Sequence, residues 1–296
     1  MGRISALILV TLVFSHASAR KIQPDNSPES AELFLPGVVS CENEDQMCGA
    51  LAEDGNRFYF CRRNSGVWQI VSISWAGDRW TEPAPVFKPT SFTDRDFTLS
   101  PDGLHMYLGS NRPPEGAAEP RPLLDIFVSD LQPGGTWSEP RRIGEPVCTE
   151  ANENYPCVAA NGNLYFFSKR EDGVGLNDIY MCEYKEGGYL PPVCMDRSVN
   201  SLKNDWDAFV APDESYIIFS SLDRADAPGD QDLYISFRNE DNSWTPARNM
   251  GPKVNSPYDE ICPGVYSGHL FFTSRRRGNA DVYRISAGII EELRDN

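Results

Sequence analysis

The residues of this chain with most capacity for chemistry are carboxylates that return at a fixed place. Eight residues before each of five turns (Asp54-Gly55, Asp102-Gly103, Asn161-Gly162, Asp213-Glu214 and Ser267-Gly268) stand Gln46, Asp94, Glu153, Asp205 and Asp259. Four of these five positions are acidic. Gathered at one mouth, Asp94, Glu153, Asp205 and Asp259 would attract a cation or a basic, amine-bearing or polyhydroxylated ligand. Two of them at the right separation could act as the paired acids of a glycosidase. Held apart, each would cap its own loop by accepting hydrogen bonds from nearby backbone amides, as Asp does in turns. Capping asks least of the sequence. Of the two functional uses, ligand binding is preferred to catalysis.

The other candidates read as architecture. Asp125, Asp178, Asp232 and Asp281 each lead a third strand, too regularly for one active site, and are expected to pair with Arg112, Arg170, Arg224 and Arg276. The loop from Asp223 to Asp232 holds enough carboxylates for calcium, but its spacing matches no EF-hand and it reads as a solvated loop. His105 and His269 occupy the same place in two units, which suits a structural role better than a triad. The run Arg275-Arg276-Arg277 reads as one structural and two solvated arginines. No nucleophile elbow, phosphate loop or dinucleotide fingerprint is present. No metal and no cofactor is expected.

A repeat positions these residues. The turns are spaced by 48, 59, 52 and 54 residues, giving five units. Each turn is followed by an apolar, mostly aromatic strand, such as Leu164-Tyr165-Phe166-Phe167 or Tyr216-Ile217-Ile218-Phe219. Such continuous apolar runs suit strands buried on both faces. A strand of the type Asp178-Ile179-Tyr180 comes next in four units, and Trp68-Gln69-Ile70 stands in its place in the first. Trp80-Thr81-Glu82-Pro83, Trp137-Ser138-Glu139-Pro140, Tyr189-Leu190-Pro191-Pro192 and Trp244-Thr245-Pro246 open outer strands, where proline is tolerated. Four short strands per unit predict an all-β, five-bladed β-propeller of four-stranded antiparallel blades. The fifth unit lacks its outer strand. The segment Glu32-Leu33-Phe34-Leu35-Pro36-Gly37-Val38-Val39 is expected to supply it and close the ring, with Ile289-Ile290-Glu291-Glu292 as its competitor.

The N-terminus has the form of a secretory signal: Arg3, an apolar run from Ile4 to Phe14, and Ala17-Ser18-Ala19 as a cleavage site. The division expected is a signal peptide over 1–19, an N-terminal segment with the closing strand over 20–44, and the propeller over 45–296. No other run approaches the eighteen apolar residues of a membrane span. A net charge of −16 disfavours nucleic acid and anionic membrane surfaces as partners. Eight cysteines in an exported chain suggest disulfides. Cys182 and Cys194 flank the Glu186-Gly187-Gly188 turn symmetrically, so they are expected to face each other across a hairpin. Cys148 and Cys157 bracket one loop, Cys41 and Cys48 another, and Cys48 and Cys61 are symmetric about Asp54-Gly55. No CxxC spacing is present, which disfavours zinc and thiol redox chemistry.

Pro101-Asp102-Gly103 with Tyr107 and Ser110, Asp178-Ile179-Tyr180, Trp244-x-Pro246 and Val254-Asn255-Ser256-Pro257-Tyr258-Asp259-Glu260 together resemble the TolB-like β-propeller repeat of exported bacterial envelope proteins. The resemblance covers roughly residues 45 to 285. It implies a periplasmic or secreted propeller that binds a protein partner or a small polar or carbohydrate ligand. The alternative it leaves open is a glycan-active hydrolase or lyase with paired carboxylates at the channel mouth.

Overall fold

A computed structural model of the protein describes residues 21–22, 27–113 and 119–295. The signal-peptide segment, 1–19, lies outside the described residues. Five four-stranded antiparallel sheets form the blades of a β-propeller. The first blade runs Gln46–Leu51, Arg57–Asn64, Val67–Ser74 and Ala84–Pro85 from inside to outside, and the second runs Asp94–Leu99, His105–Ser110, Asp125–Asp130 and Arg141–Arg142. The third consists of Glu153–Val158, Leu164–Ser168, Asp178–Cys182 and Val193–Cys194; the fourth of Asp205–Val210, Tyr216–Leu222, Gln231–Phe237 and Arg248–Asn249. The fifth takes Glu260–Tyr266, His269–Ser274 and Asp281–Ser286 from the C-terminal end of the chain and Glu32–Leu33 from its start.

The second strands carry aromatics because both of their faces are covered: Leu164–Ser168 and His269–Ser274 are buried at every residue. The tryptophans expected to open outer strands turn back instead. Trp80, Trp137 and Trp244 each make an isolated antiparallel bridge to the end of the third strand, at Trp75, Leu131 and Arg238, and the short fourth strand follows.

The N-terminal closure is present, with different limits. Only Glu32 and Leu33 enter the sheet, opposite Arg284 and Tyr283; the ladder stops because Leu35 adopts a positive φ of 42° and the chain turns at Gly37. Phe34 then packs its ring on Phe58 and Phe271, bridging blades one and five. The competitor is no strand: Ile289–Asp295 is a helix whose Ile289 and Ile290 are buried against the outer side of the last two blades.

The expected Cys182–Cys194 pairing is corrected by register. Gly187 sits in a small separate hairpin of Tyr184–Lys185 with Gly188–Tyr189, and Cys194 stands opposite Tyr180, two residues out of register with Cys182. All eight cysteines are free thiols. Cys148 has another task. Its sulfur accepts from the Ile126 amide and lies against the Ile126 carbonyl, the same two contacts that Asn200 makes with Ile179 and Asn255 with Leu233. These side chains clamp each third strand to the segment entering the next blade. Among the described residues, no helix is long and apolar enough to cross a membrane.

Candidate functional site

Asp94, Glu153 and Asp205 open the inner strands of blades two, three and four, as their spacing predicts, and all three are buried. The fifth-blade equivalent is Glu260, not Asp259. Glu260 pairs with Ser274, as Asp94, Glu153 and Asp205 pair with Ser110, Ser168 and Ser221; the inner strand runs one residue closer to its turn there, which shifts the count. Asp259 is partly exposed and lies 3.5 Å from Arg275 Nε.

Each of these acids has a full set of partners within its own blade. Arg112 reaches Asp94 at 2.8 Å, Arg170 reaches Glu153 at 3.1 Å, and Arg224 and Arg276 reach Asp205 and Glu260 at 2.9 Å. The arginines expected on the third-strand aspartates therefore fold back over the first strand. Their guanidinium groups also lie over aromatic rings, Arg224 over Phe219 and Tyr234 and Arg276 over Phe272 and Tyr283. The carboxylates in turn accept from the entering loop: Thr149 N donates to Glu153 at 3.0 Å and Ser256 N to Glu260 at 2.7 Å. The third-strand aspartates have other contacts. Asp125 is held by Arg121 and Arg142, Asp178 and Asp232 accept from Gly175 N and Gly229 N, and Asp281 lies 3.8 Å from Arg277.

The groups that converge on the axis lie two residues further along. Every inner strand has a register shift at this point, and the residue within it has a positive φ: Cys48 (52°), Asp96 (50°), Tyr155 (51°), Asp207 (51°) and Cys262 (55°). A bulge of this kind re-aims its side chain. Cys48 Sγ lies 3.8 Å from Asp96 Oδ1, and Cys262 Sγ 3.7 Å from Asp207 Oδ2. Donor atoms of Cys48, Asp96 and Cys262 all lie within 4.8 Å of one another. Tyr155 crosses the axis instead and donates to Pro263 O at 2.8 Å, from blade three to blade five. Deeper in, Tyr266 also crosses, its hydroxyl accepting from Leu99 N of blade two at 3.3 Å.

Burial dominates the electrostatics of this ring. It pushes the Asp207 carboxyl up to about 7, with the nearby Asp96 charge adding to the effect and Ser220 and the Cys262 amide opposing it. The Cys48 and Cys262 thiols are raised by the same burial. Arg95 is raised chiefly by Asp96, whose Oδ2 lies 3.3 Å from its Nε.

Recesses open on the face where the inner strands end. One, of about 170 Å³, lies on the axis and is lined by Leu51, Leu99, Val158, Val210, Val265 and Tyr266. Another, of about 730 Å³, lies between blades one and two, shares Glu53, Leu99 and Gly103 with the first, and presents Arg57, Trp75 and Trp137 over the buried Tyr59. Trp137 Nε1 donates to the Tyr59 hydroxyl across it at 3.2 Å. The loop from Asp223 to Asp232 disperses its carboxylates: Asp226 accepts from Tyr234 and Asp223 lies near Lys203.

No protein-family model matches the chain, and no curated protein does. Solved structures match in fold. A glycoside hydrolase aligns with a TM-score of 0.59 at 7% identity, covering 88% of this chain and 92% of that one. The α-L-arabinofuranosidase of Lactobacillus brevis aligns with a TM-score of 0.55 at 13% identity, covering 90% and 94%. A putative TolB from Agrobacterium tumefaciens aligns with a TM-score of 0.49 at 18% identity, covering 78% and 70%. At these identities the likeness concerns the fold.

Proposed function

We propose that the protein is an exported β-propeller that acts as a binding module, taking a protein segment or a polyhydroxylated ligand on the face where the inner strands end. The closed axis carries this reading: Tyr155 and Tyr266 span it, and its carboxylates, Asp96 and Asp207, are buried. Glycoside hydrolysis needs two carboxyl groups flanking a bound sugar with room for it between them. The open surface beside the axis instead has the partly exposed rings and the guanidinium of the groove at Trp75, Trp137 and Arg57. Such a surface suits stacking and hydrogen bonding. On this reading Asp94, Glu153 and Asp205 are blade fasteners and Asp259 a peripheral acid. Export to the periplasm or the medium follows from the signal at Ala17-Ser18-Ala19, and a mature chain starting at Arg20 on N-terminal sequencing would support it.

The test is a glycan and peptide array probed with the mature chain, run beside hydrolysis assays on aryl glycosides. Retention without turnover, weakened at least tenfold (about 1.4 kcal/mol) by Trp137→Ala with an unchanged melting temperature, supports the binding module. Turnover that disappears in Asp96→Asn or Asp207→Asn overturns it in favour of a hydrolase.

A further inference from the structure

We infer that the axial ring holds a metal site, in which Cys48, Cys262 and Asp96, one residue from each of three blades, hold a single zinc-class cation. Zinc takes thiolate sulfur at about 2.3 Å and carboxylate oxygen at about 2.0–2.2 Å, so sulfur and oxygen ligands of one tetrahedron stand about 3.5 Å apart. Cys48 Sγ stands 3.8 Å from Asp96 Oδ1, and donor atoms of Cys48, Asp96 and Cys262 all lie within 4.8 Å of one another. Asp207 stands beside the three, its Oδ2 3.7 Å from Cys262 Sγ.

The surroundings orient the donors as the outer groups of a metal site do. Asn154 Nδ2 donates to Asp96 Oδ2, Ser220 Oγ to Asp207 Oδ2 at 3.3 Å, and the Cys262 amide to that same oxygen at 3.3 Å. Tyr155, at the third-blade position of the ring, is turned away to Pro263 O, and three donors remain together. Two thiols and two carboxyl groups packed in the interior are costly without a compensating cation, and Arg95 at 3.3 Å from Asp96 is the single guanidinium paired there. Two sulfur ligands select a borderline or soft ion over calcium or magnesium. A second cluster of donors, Asp125, Cys148 and Glu153, is already served by Arg121, Arg142 and Arg170 and by the backbone clamp at Ile126, and makes no comparable case.

Spacing within the sequence could not reveal such a site. Its ligands are one per blade, and zinc motifs are recognised by pairs a few residues apart. A cation here would tie blades one, two and five together at the axis. Loading would accompany folding, since the ring is buried.

The mature chain, secreted and purified without chelator, should contain close to one zinc per molecule. Exchange for cobalt should give the thiolate-to-metal charge-transfer absorption of a sulfur-ligated tetrahedral ion. Cys262→Ser and Asp96→Asn should lose the stoichiometric metal, while Cys148→Ser, in the other cluster, should keep it. If the ring variants fail to fold, the wild-type chain decides alone: folded protein free of zinc that takes up none from zinc chloride overturns the site. So does a Cys48–Cys262 or Cys48–Cys61 disulfide found by peptide mapping without reduction, the other fate open to neighbouring thiols in an oxidising compartment.

Discussion

Arg284 holds Glu32 across the seam of the ring, donating from Nε at 2.9 Å and Nη2 at 2.6 Å to the same carboxylate oxygen of a residue 252 positions earlier. The pair is half-open to solvent and contributes little by itself. It marks where the chain's beginning must find its end. The neighbouring Leu33 ladder and the buried Phe34, packed on Phe58 and Phe271, supply the energy of closure. Removing residues 20–40 exposes the edge of blade five and empties the Phe34 position, which should cost several kcal/mol and promote association between open edges. Calorimetry and light scattering on the truncated chain check this; a melting temperature equal to that of the mature protein would contradict it.

Asp205 gives a sharper test of the fasteners. It accepts from Ser221 and Arg224 and from the Ser201 amide. Asp205→Asn keeps the shape but leaves Arg224, wedged between Phe219 and Tyr234, without its counter-charge. Breaking a buried pair from one side costs about 3 kcal/mol or more. Urea titration should show that loss, with ligand binding per folded molecule unchanged. A variant of wild-type stability that binds poorly would instead return Asp205 to the binding site.

The blades were legible because each is written out again every fifty or so residues, with aromatics after the turn and Asp before the third strand. The partners were not. Ser110 and Arg112, or Ser274 and Arg276, are close enough in sequence to suggest a motif, yet only folding shows that these arginines cover the first strand and not the third. The one-residue slip from Asp259 to Glu260 arose from counting back from a turn whose distance varies. Cys48, Asp96, Tyr155, Asp207 and Cys262 could have been found as polar residues two beyond each entry position. Their meeting at the axis depends on a bulge with positive φ, which no alternating pattern announces.

Asp232 should make stability depend on pH. Burial, reinforced by Glu260 and neighbouring aspartates, raises its carboxyl to about 6 against an opposing hydrogen bond from the Gly229 amide. A folded value above the unfolded one means the native state binds the extra proton between them. Stability is therefore unpenalised below pH 4, falls as pH rises from about 4 to 6, and stays reduced above that. Asp232→Asn, which keeps an oxygen for Gly229 N, should flatten the wild-type slope over that window when unfolding free energy is followed against pH. An identical slope in both proteins would refute the assignment.

Glu214 should behave in the opposite sense. It sits at the turn position that glycine fills in blades one, two and three, with a φ of +58°, so its side chain must justify a conformation that favours glycine. It does so by joining two blades: Tyr165 Oη donates to it at 2.7 Å, Asn161 and Asn163 at 3.0 and 2.9 Å, and Arg238 forms its ion pair. Burial opposes its ionisation, but the bonds from Tyr165, Asn163 and Arg238 outweigh it and hold the carboxyl below its usual value. The stability it contributes is therefore present above the unfolded value and is lost as pH falls through the folded one. Glu214→Gly relieves the turn by roughly 1 kcal/mol. It also leaves Arg238 and three neutral donors without their acceptor, at about 1–3 kcal/mol for each group that stays buried. The latch should win, and the variant should melt lower at pH 7. As pH falls through the folded value and the carboxyl becomes neutral, the difference should shrink. A Glu214→Gly protein more stable than wild type at neutral pH would show that turn strain, and not the joint between blades three and four, governs this position.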